Sequence, residues 1–118
     1  LAGGLAERIR EQLAGDPNVG EIRMFGGICF TLNGNMLVGT MKSGDMLVRV
    51  GEKQAPQGLA MPGAIPMRHN GRNMKGFIIV SRDSLSDEAL SRWIALATAY
   101  VGALPPKERK PGRRTAKS

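Results

Sequence analysis

The sequence predicts an α+β domain: an antiparallel β-sheet, made of a meander plus a later strand, packed by an N-terminal helix and a long C-terminal helix. Three observations carry this expectation. Residues 24–51 hold dense β signals divided by two turn signals, Asn33-Gly34 and Ser43-Gly44. Near the start, Leu1, Leu5, Ile9 and Leu13 recur every four positions. Near the end, Leu90, Trp93, Ile94, Ala97, Tyr100, Val101 and Leu104 fall on one helical stripe, the apolar face of an amphipathic helix.

Residues 1–14 therefore read as a short amphipathic helix, and Gly15-Asp16-Pro17 ends it with a glycine suited to the C′ position and a proline that cannot continue it. Residues 19–23 read as extended or loop. Gly26-Gly27 marks a bulge or tight bend at the entry to the first strand.

Within the meander, Asn33-Gly34 is the type I′ dipeptide, because both central residues of that turn need positive φ. A two-residue loop fixes the register, and the register fixes which side chains share a face. With Ser43-Gly44 treated the same way, one face collects Ile28, Phe30, Leu32, Leu37, Gly39, Met41, Met46, Val48 and Val50. The other collects Cys29, Thr31, Met36, Val38, Thr40, Leu47 and Arg49. The first is expected to lie under the helices and the second to be a mixed outer face.

Residues 52–73 read as a long connection punctuated by Pro56, Gly58, Pro62, Gly63, Pro66 and Gly71, with a short helical turn compatible with residues 54–61. Residues 74–80 return to β composition as the last strand, and 81–86 form a polar turn. The helix over residues 85–104 follows, with Ser86 as N-cap and Asp87 and Glu88 complementing its dipole. Pro105-Pro106 ends it.

One domain is expected over residues 1–104, followed by a disordered basic tail at 105–118. The chain has 118 residues and a net charge of +7, of which the tail carries +5, leaving the folded part nearly balanced at +2. Lys107, Arg109, Lys110, Arg113, Arg114 and Lys117 supply the basic charge of the tail. No apolar run is long enough for a membrane-spanning helix and no signal peptide is visible. With Cys29 as the single cysteine, an internal disulfide is excluded and a reducing, cytoplasmic location is expected.

Catalytic chemistry finds little support. Cys29 and His69 are the only pair that could suggest a thiol nucleophile and base, yet nothing marks an orienting third group. One cysteine and one histidine do not make a usual zinc site. The 16 glycines contain neither a Walker-type loop nor a dinucleotide fingerprint. No catalytic, metal or cofactor site is expected. All seven methionines fall between Met24 and Met74, a residue type that fills irregular cores and builds adaptable binding surfaces.

The series Met24-Phe25-Gly26-Gly27, Asn33-Gly34-Asn35-Met36-Leu37, Leu47-Val48-Arg49-Val50-Gly51, Met61-Pro62-Gly63-Ala64-Ile65-Pro66-Met67 and Met74-Lys75-Gly76-Phe77, followed by the Trp93 helix, resembles the TfoX/Sxy N-terminal domain family over about residues 1–107. The resemblance implies an α+β domain with an antiparallel sheet. It also implies kinship with bacterial regulators of natural competence, whose named members carry a second helical domain where this chain has its basic tail. A short stand-alone member with no catalytic residues is the form it matches.

The expected function is a non-enzymatic bacterial regulatory or protein-partner-binding module. Its candidate contact residues are Cys29, Met36, Val38 and Arg49 on the outer sheet face and Arg68 and Arg72 in the long connection. The alternative is a nucleic-acid-associated protein that binds phosphate backbone nonspecifically through Lys107, Arg109, Lys110, Arg113, Arg114 and Lys117.

Overall fold

The computed structural model describes residues 4–24 and 26–107. Along the chain these form α1 (Leu5–Gln12), β1 (Val19–Met24), β2 (Gly27–Leu32), β3 (Asn35–Thr40), β4 (Met46–Arg49), α2 (Gly51–Leu59), β5 (Ala64–His69), β6 (Arg72–Val80), a 3-10 turn at Arg82–Ser84 and α3 (Asp87–Val101). The strands make one six-stranded antiparallel sheet in the order β1-β2-β3-β4-β6-β5. The expected α+β class, with N-terminal and C-terminal helices on an antiparallel sheet, is what the chain adopts.

The sheet is larger than the sequence reading. Residues 19–23, read as extended or loop, belong to edge strand β1. The long connection at 52–73 resolves into α2, β5 and the start of β6. β5 and β6 are joined at Asn70-Gly71, with φ of 54° and 76°, the same turn chemistry as Asn33-Gly34 at 54° and 84°.

Register begins as expected at Leu32↔Asn35 and then departs. A bulge between Phe30 and Thr31 pairs Phe30 with Val38 and Thr31 with Met36, leaving Leu37 as the extra residue. The β3–β4 connection is wider than two residues: Thr40 pairs with Met46, and the Met41 amide donates to the Asp45 carbonyl at 2.9 Å. Two corrections follow. Val38, assigned to the outer face, is fully buried in the core beside Leu37. Gly39, assigned to the core, pairs with Cys29 and Leu47 on the opposite face.

The core lies on one side of the sheet. Phe30, Val38, Val48 and Ile78 meet Ile9 of α1 and Leu90, Trp93, Ile94, Ala97 and Val101 of α3, all within one cluster. Burying such side chains contributes about 1.5–3 kcal/mol each. Ser86 caps α3 by accepting from the Ala89 amide at 3.1 Å. Arg8 ties α1 to the start of α3, donating to the Leu85 carbonyl at 2.7 Å and to Asp87 at 2.9 Å. Gln54 of α2 reaches the Leu96 carbonyl at 2.8 Å.

After α3 the chain returns to the sheet. Lys107 N–H donates to the Asn33 carbonyl at 2.8 Å, and the Asn35 side-chain amide donates to the Pro105 carbonyl at 3.0 Å. Of the basic tail residues, Arg109, Lys110, Arg113, Arg114 and Lys117 lie outside the described residues.

Candidate partner-binding surface

With the core cluster gathered on one side, the sheet turns its other face outward. Cross-strand pairing carries one row over its whole width: Ile22↔Cys29, Cys29↔Gly39, Gly39↔Leu47, Leu47↔Ile79 and Ile79↔Ile65. At about 4.8 Å per strand spacing the row is roughly 24 Å long. Apart from Gly39 every member is apolar. Ile22 and Ile65, at its two ends, are 53% and 56% exposed. Met24 and Met74, also on this side, are 40% and 37% exposed.

Between these residues is a shallow depression of about 250 Å³, lined by Met24, Met36, Leu47, Met67, Met74 and Phe77 among others. Among the described residues no Asp or Glu lines it, whereas Lys107 does. Of the six expected contact residues, Cys29 and Met36 line this depression. Arg49 stands at the border, its guanidinium 5.7 Å from the Phe77 ring centre and 5.6 Å from that of Tyr100, a stacking worth about 0.5–1 kcal/mol at an exposed position.

The remaining expected residues are elsewhere. Val38 faces the core. Arg68 and Arg72 sit at the β5–β6 hairpin, where Arg68 donates to the Gly71 carbonyl at 3.3 Å. The residues missed were Ile22 and Met24, because β1 was not read as a strand, and Met67, because β5 was read as loop. Asn70-Gly71 was the signal that could have found β5, and Phe77 with Ile79 alternate visibly within residues 74–80.

Cys29 is 2% exposed and its burial pushes the thiol above its ordinary pKa, the opposite of what a thiolate nucleophile needs. Its sulfur contacts the Phe30 carbonyl at 3.9 Å. Strands β2 and β5, which carry Cys29 and His69, are separated by β3, β4 and β6, a backbone separation of roughly 19 Å, so the sheet does not make them a dyad. Among the described residues there is no cluster of three or more potential metal ligands, and no helix is long and apolar enough to cross a membrane.

The fold and this face together define a small two-layer α+β module with helices on one side of its sheet and, on the other, an apolar face exposed at Ile22, Met24, Ile65 and Met74. The model of the TfoX N-terminal domain matches residues 11–100, and the chain belongs to that family, as a competence-regulator-like module. Neither a search of curated proteins nor a search of solved structures returned a match.

Proposed function

We propose that the chain is a non-enzymatic bacterial partner-binding module whose open sheet face docks an acidic amphipathic helix of a protein partner. The observation that carries this reading is the apolar row from Ile22 to Ile65 on the side away from the core cluster. The row is exposed at its ends, at Ile22 and Ile65 with Met24 and Met74 on the same side, while Cys29 and Leu47 at its middle are 2% exposed; exposed apolar side chains grouped on one face mark interaction sites. Methionines at 24, 36, 67 and 74 give the surface side chains that repack around differing ligands. The depression is smaller than the roughly 300–1,000 Å³ of small-molecule pockets and suits the side chains of one or two helical turns. Charge selects the partner: Lys107 in the lining and Arg49 at the border, with no carboxylate among the described lining residues, complement acidic flanks.

The test uses two fluorescent amphipathic peptides of equal length, one Leu/Glu and one Leu/Lys, titrated with the full chain and read by anisotropy. The acidic peptide is expected to bind more tightly at low salt, and Ile65→Glu or Met74→Glu to weaken it at least about tenfold. Equal affinity for the two peptides, or affinity unchanged by both substitutions, refutes the reading.

The second reading, phosphate-backbone binding by the tail, is supported by its +5 charge. Counterion release makes such binding fall steeply with salt. DNA affinity of the full chain and of a chain ending at Leu104, compared across a salt series, tests it: binding unchanged by truncation removes it.

A further inference from the structure

The two edges of the sheet differ. β5 carries Pro66 and a register shift between Pro66 and Arg68, devices that close an edge to further pairing. β1 has neither, keeps continuous register with β2 over all six of its residues, and is exposed from Glu21 to Met24.

The outward-facing backbone groups of β1 follow from one hydrogen bond. Asn33 N–H donates to the Asn18 carbonyl at 2.9 Å, which extends the β1–β2 ladder by one hydrogen-bonded position. Antiparallel pairs alternate, so Gly20↔Thr31, Ile22↔Cys29 and Met24↔Gly27 are bonded as well. The N–H and C=O groups of Val19, Glu21 and Arg23 therefore point away from the sheet.

We propose that a second copy of this chain adds antiparallel to β1, with the two-fold axis passing between the two copies of Ile22. A ladder requires outward-facing residues to pair with outward-facing residues. Registers centred on Glu21 or on Arg23 satisfy this but set like charges opposite each other, which is destabilising. The register centred on Ile22 sets Glu21 opposite Arg23 of the second copy, and does so twice by symmetry. It also sets Met24 opposite Gly20, where no side chain competes for the space. Ile22 meets its own copy on the open face.

Glu21 already accepts from Arg10 at 2.7 and 2.9 Å, and a carboxylate with about four acceptor sites has room for a second guanidinium. The pairing joins two open faces into one continuous apolar surface. It does not depend on what that surface binds.

Sedimentation equilibrium of the full chain, from micromolar to submillimolar concentration, tests the proposal. A reversible dimer is expected. Arg23→Glu and Glu21→Arg should each weaken it by about tenfold or more, by replacing two attractive pairs with repulsive ones, with circular dichroism confirming that both variants fold. Mixing the two variants should restore association, because every pair across the axis is then complementary. Ile65→Glu, at the far end of the sheet, should leave the dimer intact. A chain that stays monomeric at every concentration overturns the proposal, as does a dimer indifferent to Arg23→Glu. Variants that fail to associate when mixed overturn it too. Loss of the dimer on Ile65→Glu without loss on Arg23→Glu would assign self-association to the open face instead.

Discussion

Gly51 and Gly76 meet backbone to backbone where α2 begins beside β6. A Cβ on Gly76 would lie 3.1 Å from the Cα of Gly51, and the Val50 amide donates to the Gly76 carbonyl at 2.8 Å. Both residues hold positive φ, 81° and 84°, a region costly for any residue with a side chain. Gly76→Ala combines that conformational cost with a steric one and should destabilise the domain by about 2–4 kcal/mol. Urea denaturation is expected to show a lower midpoint at an unchanged m-value.

Trp93 is fully buried between α3, the sheet and α2. At Gly58 of α2, an added Cβ would stand 3.1 Å from the Trp93 ring, so the helix approaches the indole as closely as a glycine allows. Trp93→Ala should cost about 3–5 kcal/mol, a large share of the roughly 5–15 kcal/mol that holds a domain of this kind. Thermal unfolding should move sharply downward, and Trp93→Phe should recover part of the loss.

The Arg10–Glu21 pair gives stability a pH dependence of defined sign. The hydrogen bond from Arg10 holds the Glu21 carboxyl below its ordinary pKa, so the folded state favours the ionised form. That contribution is complete above the unfolded-state carboxylate value, about 4.3, and is lost as pH falls through the lower folded-state value. Both side chains are substantially exposed, so the effect is small and weakens with salt. Glu21→Gln should flatten the acid limb of a stability–pH profile measured by urea midpoint, with little change near neutrality.

Cys29 should react slowly with a thiol reagent at neutral pH while the chain is folded, and rapidly once it is denatured. Burial and a raised thiol pKa both act in that direction. Fast alkylation of the native chain would contradict the placement of this side chain beneath the outer face.

The helices were legible because each carried a complete local signature: the apolar stripe and Ser86 cap of α3, and the four-spaced aliphatics and Gly15 stop of α1. The Asn33-Gly34 turn was legible for the same reason, since its backbone demand selects the residues that meet it. The faces of the meander were only partly legible. The bulge at Leu37 leaves no mark in composition, because Leu37 and Val38 are apolar in either register, yet it carries Val38 across the sheet. β5 was hidden by Pro66, a residue that argues against a central strand but is tolerated at an edge. The outer face itself needs all six strands in the order β1-β2-β3-β4-β6-β5, an arrangement that no local pattern encodes.

The strand order has a consequence for the time course of folding. β1 through β4, and β5 with β6, are hairpin neighbours that can pair after closing only short loops. The β4–β6 ladder, from Met46↔Val80 to Arg49↔Phe77, joins segments that have α2 and β5 between them and must close a longer loop before any contact compensates for the lost entropy. That seam is where the chain's two halves become one cooperative unit, and changes at the Gly51–Gly76 contact beside it should slow refolding more than changes at the β1–β2 hairpin, which should chiefly hasten unfolding.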